Sequence, residues 1–289
     1  MIIFFFSVQF SGDIMEIITQ NNERVTHLFG NVEVRSDKLF IEAEEAFFYN
    51  TKGYIVIKDN LKGEIKNGNF ICDSLLYYVR EEKSVLKGNA VIKGKGMEFK
   101  SDIFVIEHSS YTILSNSGIE VIDTNQGFTV VGEKGEYNYS ADTGFVYGNP
   151  YIEVRDSVFI YSDTFFVYRK DKKVKGKNNV RIKFSDGEVQ GGKLKYVYSE
   201  GSGFISDSVK IVKGNVISTM DTLYFFGKEQ GIDSLYMKGS VKMEAILEQD
   251  DKVAVFSNHG KIYIEDNKMN RIVFINKPRG IYYSSLQEE

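Results

Sequence analysis

Gly30-Asn31-Val32-Glu33-Val34 and Gly88-Asn89-Ala90-Val91-Ile92-Lys93 are two copies of one phrase: a Gly/Asn turn, then apolar, charged and apolar residues. It returns as Gly118-Ile119-Glu120-Val121, Gly148-Asn149-Pro150-Tyr151-Ile152-Glu153-Val154 and Asn178-Asn179-Val180-Arg181-Ile182. Later copies are Asp207-Ser208-Val209-Lys210-Ile211 and Gly239-Ser240-Val241-Lys242-Met243. Degraded copies sit at Asn60-Leu61-Lys62-Gly63-Glu64-Ile65 and near Asn276-Lys277-Pro278-Arg279. The interval is about 29 to 32 residues until a longer last one, which the loop insertion Asp250-Asp251-Lys252 explains. A fixed period of this length is the signature of a repeat architecture.

A second phrase keeps the same period about twelve residues later. It joins an apolar stretch to a small residue with Asp and then to an aromatic run, as in Phe70-Ile71-Cys72-Asp73-Ser74-Leu75-Leu76-Tyr77-Tyr78. Asp73, Asp102, Asp163 and Asp221 fall in register. Val32-Glu33-Val34, Val180-Arg181-Ile182 and Val209-Lys210-Ile211 alternate with period two, so each is a strand with one apolar and one wet face. Such strands suit antiparallel pairing. No stretch keeps a 3.6-residue period, and Gly, Asn or Asp interrupts every eight to twelve residues. One repeat cannot bury its apolar face alone, whereas stacked repeats form a continuous seam. The sequence therefore predicts an all-β, elongated repeat protein of about nine copies of ~29 residues, with residues 13–289 as a single domain.

The composition agrees. Among 289 residues there are 26 Gly, 22 Phe and 18 Tyr but 2 Pro and no Trp, the inventory of short strands and turns. A net charge of −4 argues against nucleic acid as a partner. The one cysteine, Cys72, excludes a disulfide framework and a Cys-based zinc site. His27, His108 and His259 lie far apart in sequence. The Asp ladder reads as side chains capping corners, with metal binding or acid/base work as the alternative. Lys170-Asp171-Lys172-Lys173-Val174-Lys175 reads as a solvated basic turn, with contact to anionic head groups as the alternative. Gly187 to Gly192 precedes no helical pattern, so it is not a phosphate loop. No catalytic constellation and no cofactor motif emerges. Residues 1–12, beginning MIIFFFSVQF, are too short to span a bilayer. They read either as a truncated signal peptide without its basic region or as a first buried strand.

The two phrases together resemble the OstA-like (organic-solvent-tolerance) family of lipopolysaccharide-transport periplasmic proteins. The resemblance rests on Gly30-Asn31-Val32-Glu33-Val34, Phe70-Ile71-Cys72-Asp73-Ser74-Leu75-Leu76-Tyr77-Tyr78 and Gly88-Asn89-Ala90-Val91-Ile92, and covers most of residues 13–283. It implies a twisted β-jelly roll, open along one side, whose apolar interior carries lipid A acyl chains. It also implies a periplasmic location, head-to-tail self-association, and a bridge from an inner-membrane component to an outer-membrane one. The chain is longer than the compact soluble carrier of that family and lacks the large barrel of its outer-membrane member. Alternation then places Val32, Val34, Val91, Ile119, Val121, Ile152, Val154, Val180, Ile182, Val209, Ile211, Val241 and Met243 on the face lining the seam, as lipid-binding candidates. A slip of one residue would turn any of these outward. The alternative function is a structural or adhesive solenoid with a filled core that binds a protein or glycan.

Overall fold

The structure is a computed structural model. It describes residues 8–20, 23–66, 68–154, 158–184, 187–228, 231–247, 251–265 and 268–283. The described chain is all-β: twenty-four strands, no helix, and antiparallel pairing throughout. It forms two compact units, Met1–Val146 and Tyr147–Glu289.

Unit 1 starts with β1 (Gln9–Ser11) and β2 (Ile14–Gln20), both paired with β3 (Glu23–Arg35). A meander follows: β4 (Leu39–Tyr49), β5 (Tyr54–Ile65), β6 (Gly68–Tyr78), β7 (Lys83–Gly94) and β8 (Met97–Glu107), each paired with the strand before it. Shorter strands close the unit: β9 (Thr112–Ser115), β10 (Ile119–Asp123), β11 (Phe128–Gly132), β12 (Lys134–Asn138) and β13 (Thr143–Tyr147). Of the N-terminal stretch read as a signal or a strand, residues 1–7 lie outside the described residues, while Phe10 of β1 sits opposite Val34.

Unit 2 repeats the plan. Its strands are β14 (Tyr151–Val154), β15 (Val158–Tyr161), β16 (Thr164–Tyr168), β17 (Lys173–Phe184), β18 (Gly187–Val197) and β19 (Ser202–Lys213). The rest are β20 (Val216–Lys228), β21 (Gly231–Ile246), β22 (Lys252–Glu265), β23 (Lys268–Ile275) and β24 (Arg279–Tyr283).

The Gly/Asn phrase is where a long strand bends. Gly30 and Asn31 have φ of +75° and +45°, and the β3–β4 register jumps between Phe29 and Val32. Left-handed pairs recur at Asp59-Asn60, Gly88-Asn89, Gly148-Asn149, Asn178-Asn179, Asp207-Ser208, Gly239-Ser240 and Asn276-Lys277, and Gly118 takes the same conformation at φ +87°. Two residues leave the ladder, the strand turns, and its halves enter two different walls. We call the first wall the one whose hairpin turns fall at 36–38, 66–67 and 95–96. The second wall has its turns at 50–53, 79–82 and 108–111.

The Asp phrase supplies the other side of each corner. Asp13, Asp73 and Asp163 accept hydrogen bonds from the Nδ2 of Asn31, Asn89 and Asn179, at 2.9, 3.2 and 3.0 Å. A Cβ added at Gly88 or Gly239 would lie 2.1 Å from Oδ2 of Asp73 or Asp221. The corner therefore needs glycine twice over, for its φ and for its room. These carboxylates serve as corner braces, as their sequence position suggests. Asp102 departs from the pattern: in its corner Ser101 Oγ takes over, donating to the Gly118 carbonyl at 2.6 Å.

Inside unit 1 the two walls pack on each other. The cross-strand row Leu28–Ala46–Ile57–Leu75–Leu86–Phe104 on the second wall is buried throughout. So is Val34–Ile41–Gly63–Phe70–Ile92–Phe99 on the first. Phe99 meets Tyr137 across the interior with ring centres 5.1 Å apart, and Phe10 meets Phe48 at 4.2 Å. Each fully buried Leu, Ile or Phe in such rows contributes about 1.5–3 kcal/mol.

Candidate functional site

Anchoring each copy on its left-handed pair fixes which residues point inward: the first and third after the bend. Val32 and Val34 are buried, as are Ile119, Ile152, Val180, Val209 and Val241. Val121, Ile182, Ile211 and Met243 are half-buried. Val154 belongs to β14, but its side chain lies outside the described residues. Val91 differs. Ala90 and Ile92 are buried and Val91 between them is half-buried on the opposite face, because Ala90 is the first residue after the Gly88-Asn89 bend. The inward pair of that copy is Ala90 and Ile92.

The two units treat this inward surface differently. In unit 1 it is filled, with Phe70, Phe99 and Phe104 under 2% exposed. In unit 2 the register assembles Ile152, Ile160, Ile182, Val189, Ile211, Ser218, Met243 and Val255 into one row across β14, β15, β17, β18, β19, β20, β21 and β22. Ile160, Ile182, Ile211, Met243 and Val255 are only half-buried. The row is apolar except for Ser218, and it is left more accessible than the fully buried Val34–Phe99 row of unit 1. Sequence reading found four of its members and missed Ile160, Val189 and Val255, which stand on strands outside the Gly/Asn phrase. Glu188 beside Val189 is an alternation signal for that position, whereas Ile160 and Val255 stand in continuous apolar runs that show no face.

The rims of unit 1 are joined across the interior. Lys38, in the β3–β4 turn of the first wall, forms an ion pair with Glu82 in the β6–β7 turn of the second. Lys66 holds its ammonium 4.3 Å from the ring centre of Tyr111. Lys95 donates to the Tyr139 carbonyl at 3.1 Å. Three lysines at repeat spacing thus tie three turns of one wall to three turns of the other. In unit 2 residues 155–157, 185–186 and 248–250, which connect the comparable strands, lie outside the described residues, and the turn at Gly214-Asn215 carries no lysine.

Two further features have a different chemistry. A cleft of about 850 Å³ at the bends of β3–β6 is lined by the charged Glu33, Glu42, Glu44, Asp59, Lys62 and Asp73, by Asn31 and Asn60, and by the apolar Val32, Ala43, Leu61, Ile71 and Cys72, a mostly polar surface. In the second wall, Ser84 and His108 form a buried pair, Oγ to Nε2 2.7 Å, with the Tyr77 ring edge-on to the imidazole. Burial pushes His108 down to about 4, partly countered by Glu82 and reinforced by Lys38. Cys72 is buried at a corner, where desolvation pushes its thiol up to about 12, so it is a packing residue.

Fifteen chains of solved structures are similar to this one. Among them is the crystal structure of LptH. That protein is the LptA-homologous periplasmic component of the lipopolysaccharide transport device of Pseudomonas aeruginosa. The match has 15% identity and a TM-score of 0.32, and covers 35% of this chain and 76% of that one. No family model and no curated protein matches the sequence.

Proposed function

We propose that the chain is a periplasmic lipid-transport bridge protein, a carrier rather than an enzyme. It takes the acyl chains of lipopolysaccharide or a related envelope lipid along the inward first-wall row of unit 2. The observation that carries this reading is that row: eight cross-strand neighbours, seven of them apolar, five left half-buried. Apolar surface removed from water contributes about 25 cal/mol per Å², so an acyl chain lying along the row is a favourable occupant. Support also comes from the corner phrases, whose bends and Asp braces are the parts on which the OstA-like resemblance rests. Unit 1, with its rims tied by Lys38, Lys66 and Lys95, is the closed counterpart.

Partners in this reading are inner- and outer-membrane transport components. Ile14, Met15 and Ile17 of β2 and Ile281, Tyr282 and Tyr283 of β24 are exposed, which suits head-to-tail association or docking by strand addition. Solvent extraction of the purified chain and mass spectrometry of the extract test the reading. Lipid recovered with the wild type, and reduced when Ile182, Ile211 and Met243 are replaced by Asn, is the expected result. A lipid-free protein that takes up no lipopolysaccharide would overturn it. The second reading, a structural or adhesive solenoid with a filled core, is favoured by the complete burial of Phe70, Phe99 and Phe104 in unit 1. It predicts a protein or glycan partner and no bound lipid.

A further inference from the structure

The second wall of unit 2 has an outer face without acids. Eight five-residue segments lie side by side in register: 164–168, 173–177, 193–197, 202–206, 222–226, 234–238, 259–263 and 271–275. The first, third and fifth residue of each faces outward, and all are exposed or half-exposed. Of these twenty-four positions eight are Lys or Arg, seven are Phe or Tyr, and none is Asp or Glu. The chain as a whole carries 40 acids and a net charge of −4, so an acid-free basic face opposes its average.

The middle row shows the arrangement. Lys175, Lys195, Phe204, Tyr224, Tyr236 and Lys261 are successive cross-strand neighbours. The rings of Phe204 and Tyr224 stand 6.0 Å apart, and those of Tyr224 and Tyr236 6.2 Å. Lys173 and Lys175 both lie over the Tyr168 ring, at 4.8 and 5.2 Å. Lys173 and Lys193 pair with Asp171 and Asp207, which sit in a turn and at a corner, off the face. The other six cations have no ion pair among the described residues. At strand and pleat spacings the face measures about 34 by 13 Å.

We propose that this face docks on the surface of an anionic phospholipid bilayer. Lysines attract the diffuse charge of a bilayer surface without the fork geometry that arginine brings to a single phosphate, and seven of the eight cations are lysine. Phe and Tyr rings suit the headgroup layer, being apolar in body and, for Tyr, polar at the tip. Because neighbouring rings of the row pack against one another, they present a continuous layer rather than slots for inserted bases. The face is separate from the inward row, since alternation puts the two on opposite sides of the sheet.

Flotation of the full chain with vesicles tests this, using equimolar phosphatidylcholine and phosphatidylglycerol against phosphatidylcholine alone. The chain should float with the anionic vesicles only and be released by high salt. Replacing Lys175, Lys177 and Lys195 by Gln should weaken binding about fivefold per lysine, about a hundredfold together. The same change at Lys58, Lys62 and Lys87 of unit 1 should weaken it much less. Both triple variants should keep the wild-type thermal midpoint and lipid content, which separates this surface from the interior carrier site. Equal binding to both vesicle types, no binding to either, unchanged affinity of the Lys175/Lys177/Lys195 variant, or stronger binding to single-stranded DNA than to anionic vesicles would each overturn the proposal.

Discussion

Gly88→Ala is the sharpest test of the corner that builds the fold. Gly88 has φ +75°, where an alanine is strained by about 1–2 kcal/mol. Its added Cβ would also lie 2.1 Å from Asp73 Oδ2, so the carboxylate must leave the position from which it accepts the Asn89 amide. Losing that hydrogen bond costs about 1 kcal/mol more. The sum, about 2–3 kcal/mol, should appear as a lowered urea midpoint of unit 1. Gly118→Ala is the matched control: φ is +87° there too, but nothing lies within 4 Å of the new Cβ, so only the backbone cost of about 1–2 kcal/mol remains. A double-mutant cycle isolates the steric part. In an Asp73→Ala background, Gly88→Ala should fall to about the Gly118 value. Equal costs at Gly88 and Gly118, or a cycle without coupling, would refute the reading of Asp73 as a corner brace.

Two other outcomes follow from the same geometry. Burial holds His108 at about 4, below its ordinary value of 6.5, so the unfolded chain takes up the proton first. Stability is then full above pH 6.5 and falls by about 3 kcal/mol as pH drops toward 4. His108→Gln should flatten that part of the pH–stability curve, and an unchanged slope would count against it. Replacing Lys38, Lys66 and Lys95 together by Met removes the three ties between the rims of unit 1. Partly exposed contacts of this kind are worth at most about 1 kcal/mol each. The expected signature is therefore faster amide exchange in residues 39–42, 68–71 and 97–100 with little change in residues 83–87, and a uniform or absent change would contradict it.

Much of the fold can be read along the chain because its decisive signal is local. A Gly/Asn pair needs left-handed φ wherever it occurs, and a β-branched pair two residues apart shows its face by alternation. The error at Val91 has the same origin. Ala90 is small enough to pass for part of the turn, so the apolar count begins one residue late, although Gly88-Asn89 fixes the register in space. What is not local stays hidden. The Lys38–Glu82 tie joins residues 44 apart through two turns, and nothing in either turn names the other. The acid-free outer face exists only once eight strands lie side by side, since Lys175, Tyr224 and Lys261 share no segment of sequence. The difference between the filled inward row of unit 1 and the half-buried row of unit 2 is likewise set by packing. Isoleucine recurs in both rows, but the unit 1 row also holds Phe70 and Phe99 and is buried throughout.

The central claim is that an acyl chain lies along the inward row of unit 2. Site-specific photo-crosslinking tests it most directly, with a photoreactive phenylalanine analogue placed in turn at Ile182, Ile211, Met243, Arg181 and Lys210 and the chain incubated with lipopolysaccharide. Crosslinks at Ile182, Ile211 and Met243, with none at the outward Arg181 and Lys210, are the predicted result. Crosslinks at none of the five positions, or equally at all of them, would contradict it.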